Sequence, residues 1–134
     1  MSVATRPETG AGKAVWAGRV ISTLLVLAFL LDGGMKLFKP PVVVEKSGEL
    51  GIPEAPLVGI GVALIVSTVL YAYWPTAVLG AILLTGYLGG AILAHVRVGG
   101  LDFLFAAAFG VLVWLGLFLR DPRVRALIPV RRAA

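Results

Sequence analysis

The sequence has no cysteine and a single histidine, His95, among its 134 residues. Without cysteine the chain has no disulfide, no thiolate metal site and no dithiol relay of its own. One imidazole and a few scattered acids do not make a zinc-type ligand set, so no metal is expected. Charge is scarce too. Only 14% of residues are charged and 59% are hydrophobic, where soluble domains sit near about 25% and roughly 45–50%. A soluble fold this apolar could not cover its surface with polar groups, which makes lipid the expected solvent. The chain also lacks a phosphate loop: its glycine-rich run, Gly86-Tyr87-Leu88-Gly89-Gly90, lies inside an apolar stretch.

The charge that is present is placed rather than spread. The net charge is +5, and five of the twelve basic residues follow Leu119, flanking an apolar run. That placement suits a positive-inside membrane anchor and argues against nucleic acid as a partner. From Ala55 to Ala94 there is no charged side chain. Forty residues are too many for one membrane span of about 20. Pro75 divides them, because proline disfavours helix at the residue before it and tolerates the first helical turn.

The sequence therefore predicts an all-α bundle of four transmembrane helices near residues 14–38, 57–74, 76–96 and 102–119. A disordered cytoplasmic tail is expected over 1–13 and a basic cytoplasmic tail over 121–134. The first apolar stretch is longer than a signal-peptide core and is followed by Asp32-Gly33-Gly34-Met35-Lys36 rather than a cleavage site, so it is expected to be retained. Pro40-Pro41 stops it. The long polar connection that follows is expected to hold a short amphipathic turn at the membrane surface, beginning at Val42. Tyr71, Tyr73 and Trp74 are expected in the interfacial aromatic belt. Asp102 suits the start of the fourth helix.

Four spans place the termini and the short 2–3 turn on one side, with eight basic residues against four on the other. The excess puts both termini in the cytoplasm of a multi-pass protein of the inner (plasma) membrane. Small residues recur every fourth position and are expected to mark helix contacts: Gly59 and Ala63 in the second span, Gly86, Gly90 and Ala94 in the third, Gly110 in the fourth.

The same topology gathers Asp32, Lys36, His95, Arg97 and Asp102 at similar depth on the opposite side, with Tyr87 eight residues before His95 on roughly the same side of its helix. Ionisable groups near a bilayer face the bundle interior or water and find partners. The functional reading is an outward-facing polar pocket. There His95, Asp32 and Lys36 are the catalytic candidates, acting as one group, and Tyr87, Arg97 and Asp102 are binding residues. The structural reading is a local Asp32–Lys36 pair, a snorkelling Arg97 and a histidine bonded within the bundle.

The chain resembles the DoxX-like family of small bacterial four-helix membrane proteins from about Gly18 to Arg132. The carriers are Gly33-Gly34-Met35-Lys36-Leu37, Glu49-Leu50-Gly51-Ile52-Pro53, Thr85-Gly86-Tyr87-Leu88-Gly89-Gly90-Ala91 with His95-Val96-Arg97, and Val113-Trp114-Leu115-Gly116-Leu117 followed by Leu119-Arg120-Asp121-Pro122. The family takes its name from a membrane subunit of a thiosulfate:quinone oxidoreductase, and other relatives look like membrane partners in redox or thiol-stress complexes. The resemblance implies a non-catalytic membrane subunit or scaffold and points at Lys36, Tyr87, His95 and Arg97.

Two functions stay open. One is that scaffold; the other is a quinone- or small-lipophile-binding protein or enzyme using the polar pocket. A small transporter is a third, without an inverted repeat to support it. No cofactor motif is evident, and a quinone is the cofactor the second reading admits. The partners the sequence admits are the bilayer, a cytoplasmic or membrane protein, and further copies of the chain.

The orientation is testable because the native chain has no cysteine. Single cysteines at Ser47 and Gly99 should react with an impermeant maleimide in intact cells, and those at Ser2 and Ala134 only after permeabilisation. Labelling of the termini in intact cells reverses the topology.

Overall fold

The computed structural model describes residues 9–131, and every regular element among them is helical. The tail expected at 1–13 lies outside the described residues up to position 8. From Thr9 the chain is already helix, five residues before the expected start.

Helix α1 spans Thr9–Phe38. Lys39 ends it in a left-handed conformation (φ 52°), and its N–H donates back to the Met35 carbonyl. The proline pair then forces a new start, and Pro41 opens α2, Pro41–Glu49, at a position where a missing N–H costs nothing. The expected surface turn is thus a nine-residue helix. Helix α3 spans Leu57–Ala72, a 3-10 turn covers Trp74–Thr76, and α4 spans Ala77–Arg97. Thr76 helps stop α3, its hydroxyl donating to the Leu70 carbonyl at 2.8 Å. Helix α5 spans Phe103–Arg120 and α6 Pro122–Arg125. Asp102 precedes α5 as expected, but its side chain makes no capping hydrogen bond. Asp121 does cap α6, accepting from the Arg123 N–H at 2.9 Å.

Three helical stretches are long and apolar enough to cross a membrane: Gly12–Phe38, Trp74–Arg97 and Phe103–Arg120. Leu57–Ala72 is a fourth apolar helix, shorter than these. Helix α1 packs on α3 and α5, and α4 packs on the same two, so α1 and α4 face each other diagonally. The shared core runs through Leu25, Phe29, Leu64, Leu84, Val113 and Leu117.

One end of this bundle is closed around Tyr71. Its side chain is fully buried among the helices, whereas Tyr73 and Trp74 are 63% and 52% exposed. The Tyr71 hydroxyl donates to the Val113 carbonyl of α5 at 2.7 Å and lies 3.1 Å from the Ser22 hydroxyl of α1. Arg120 covers the ring, 5.0 Å from its centroid, and donates to the Tyr71 carbonyl at 3.1 Å.

The helices meet most closely at glycines outside the expected stripes. A methyl group on Gly61 would sit 2.8 Å from the Gly33 carbonyl oxygen, and one on Gly18 2.6 Å from the Gly116 carbonyl oxygen. One on Gly80 would run into the backbone of Tyr71. Gly59, Gly86 and Gly90, expected at helix contacts, have open space where a side chain would go, and Gly110 makes only an ordinary 3.8 Å contact with Leu88. Helix-contact glycines are set by where two axes cross, one pair per crossing, so a four-residue repeat is a poor guide to them.

Gly61→Leu should therefore lower thermal stability in detergent by the cost of overpacking, about 1–3 kcal/mol. Gly90→Leu, which the sequence alone makes the damaging change, should leave the melting temperature near wild type. The reverse order would mean that the α1–α3 crossing is elsewhere.

Candidate functional site

Away from Tyr71 the four long helices and α2 line a cavity of about 920 Å³ that is open on one side. Helix α1 contributes Phe29, Asp32, Met35 and Lys36; α3 contributes Leu57, Ile60 and Ala63. Gly86, Tyr87, Gly90, Ala94 and His95 come from α4, and Asp102, Phe105 and Phe109 from the α5 end. The glycine stripe of α4 thus lines a space instead of packing a helix. Its missing side chains are part of what makes the cavity large.

The cavity has a direction. Phe29 and Phe109 meet edge to face at its apolar end, ring centroids 5.7 Å apart. Lys36 lies two turns further along α1, about 10 Å at 1.5 Å per residue. At that level stand Asp32, Lys36 and His95, with Lys46, Ser47 and Glu49 from α2 beside them. One end is therefore aromatic and apolar, and the other carries both signs of charge.

Lys36 donates to the Asp32 carboxylate at 2.7 Å, one helical turn apart, with side chains 16% and 50% exposed. The more buried partner is the cation. The Tyr87 hydroxyl, reaching across the bundle from α4, lies near the same ammonium. His95 lines the cavity too, but its Nδ1 is 2.7 Å from the Ala91 carbonyl oxygen of its own helix. Among the described residues it makes no hydrogen bond to Asp32 or Lys36. The three catalytic candidates thus share a cavity without forming one bonded group. Asp102 lines the same end and is exposed.

Arg97 stands apart. It is not a lining residue; its Nη2 donates to the Leu50 carbonyl at 2.9 Å and fills the space above Gly51. Gly51 has φ 81°, a conformation that suits glycine. Arg97 thus ties the end of α4 to the connection after α2. Lys39 and Glu54, 3.4 Å apart, tie the end of α1 to the same connection. These two ties hold α2 against the polar end.

The α2 residues are the ones sequence reasoning missed. Val43, Lys46, Ser47 and Leu50 all line the cavity, and their spacing of i, i+3, i+4, i+7 marks one helix face. The sequence carries that periodicity, and the expected surface turn is this helix. Trp114 donates from its indole N–H to the Thr85 hydroxyl at 2.7 Å and bonds α5 to α4. Among the described residues no three metal-ligating side chains stand together.

The helices and the cavity define the class: an all-helical membrane protein with a polar-ended chamber between its helices. A model of the DoxX-like family matches residues 20–116, most of the chain, and the protein belongs to that family. No curated protein and no solved structure matches it.

Removing the Arg97 guanidinium should loosen the α2–α3 connection without unfolding the bundle. In Arg97→Ala, amide exchange at Gly51 and Ile52 should rise several-fold while that of the α5 core stays unchanged. Unchanged exchange in the connection would show that Arg97 does not hold it.

Proposed function

We propose that this DoxX-like protein is a four-span membrane protein that binds a small amphiphile in the chamber, its polar head toward Lys36, Tyr87 and His95 and its apolar body toward Phe29 and Phe109. The carrying observation is the chamber's polarity. Sites for small molecules run from about 300 to 1,000 Å³, mostly apolar with a few convergent polar groups, and this chamber fits that description at about 920 Å³.

A mostly buried ammonium beside a phenol supplies hydrogen-bond donors for a carbonyl or anionic oxygen. Asp32 holds Lys36 in place from the more exposed side. A quinone suits this arrangement, its ring against the phenylalanines and one carbonyl toward Lys36 and Tyr87. The quinone would supply two-electron redox chemistry; the chain's residues would orient it and exclude water.

Helix dimensions support four spans. Arg19 to Lys36 on α1 and Asp102 to Arg120 on α5 each cover about 26 Å at 1.5 Å per residue, close to a hydrocarbon core of about 30 Å. Helix α3 is shorter, about 24 Å, and the turns at its ends extend it. The basic residues are in excess at the end that bears the termini, which favours cytoplasmic termini in a plasma membrane. The scaffold reading leans on the basic tail, and parts of that tail already have partners. Arg125 donates to the Phe118 and Leu119 carbonyls, and Arg123 pairs with Asp121 and stacks over Trp74. Binding in the chamber is therefore the stronger reading.

The protein purified in mild detergent should retain a lipophilic compound detectable by extraction and mass spectrometry. It should also bind decylubiquinone in equilibrium dialysis. Lys36→Met should weaken that binding at least tenfold, about 1.4 kcal/mol, with helical circular dichroism unchanged. Equal affinity in the variant would remove Lys36 from the site and the polar end from the proposal.

A further inference from the structure

A second, smaller cavity lies at the closed end of the bundle, about 170 Å³ between α1 and the ends of α3 and α5. Its walls change character along α1. Arg19, Ser22, Thr23 and Arg120 make the polar part; Val26 and Leu27 continue it toward the bundle middle. It shares no lining residue with the large chamber.

Arg120 is set like a fixed donor. The Tyr71 carbonyl and ring hold the guanidinium from one side. Its Nε is buried and has no hydrogen-bond partner. A guanidinium has five N–H donors and no acceptor, and a buried donor without a partner is destabilising. The guanidinium's other N–H groups remain for an acceptor in the cavity, and an anionic one binds them best.

The protein supplies no such anion. Neither Arg19 nor Arg120 joins a salt bridge among the described residues. Asp121, next in sequence, is buried and turned to the α6 N-terminus and Arg123. Two guanidinium groups therefore share a small cavity without a counter-charge. The cavity has room for several waters at about 30 Å³ each, and Leu27, on its apolar side, is exposed at the bundle surface.

We propose that this cavity is a binding site for the phosphate headgroup of an anionic phospholipid. The phosphate lies between Arg19 and Arg120, Thr23 offers a hydroxyl, and one acyl chain follows Val26 and Leu27. Basic pockets between membrane helices favour anionic headgroups over zwitterionic ones, and the arginine fork favours phosphate in particular.

The test is thermal unfolding of the full chain in detergent with added lipid. Phosphatidylglycerol should raise the melting temperature by several degrees more than phosphatidylcholine. Arg19→Gln should lose at least half of that difference. Lys13→Gln and Arg131→Gln, which remove equal charge from exposed positions near the same end, should keep it. Arg120→Gln should abolish it; should that variant fail to fold, Arg19→Gln alone carries the test. Equal stabilisation by both lipids overturns the site, as does equal loss in all the charge variants, which would mean diffuse attraction. The same stabilisation from inorganic phosphate at equal concentration assigns the cavity to a free anion and overturns the lipid.

Discussion

The rest of the bundle is arranged around the burial of Tyr71. One phenol ties α3 to α5 by a hydrogen bond to Val113 and meets the Ser22 hydroxyl of α1. Its own backbone is the surface against which Gly80 of α4 rests. Its ring and carbonyl fix Arg120 at the end of α5. All four long helices are thus constrained within a few residues of one side chain. Surrounded by lipid, apolar helices gain little by hiding from one another, so close packing and shared hydrogen bonds have to hold them. Tyr71 supplies both in one place.

That concentration makes the two ends of the molecule unequal. Near Tyr71 the helices touch through glycines and leave only a small arginine-lined cavity. At the other end the glycines of α4 face each other's absence: nothing stands where their side chains would be. The helices line the chamber there, and α2 is brought over it by Arg97 and by the Lys39–Glu54 pair.

Charge follows the same division. At the chamber end, Lys36 is answered by Asp32 within the chain, and acids and bases stand together. At the closed end the arginines outnumber the acids, and the one buried carboxylate, Asp121, already serves α6. Mixed charge suits a solvated, selective cavity. Uncompensated positive charge suits a membrane surface.

Much of this protein was legible from its residues alone. The helix limits came from Pro41, Pro75 and Pro122, because proline acts through the local backbone. The polar end came from the shared direction of α1 and α4, from which the sequence placed Asp32, Lys36, His95, Arg97 and Asp102 at similar depth. The sequence could not say that Tyr71 is buried while Tyr73 and Trp74 are exposed, since burial depends on which neighbours arrive. It could not tell a glycine at a helix crossing, such as Gly61, from one facing a chamber, such as Gly90. Both are glycines in apolar helices, and only the relative position of the axes separates them. Arg97 and α2 illustrate the same limit: a hydrogen bond between residues 47 apart in sequence leaves no local trace, and only the folded chain decides that it forms.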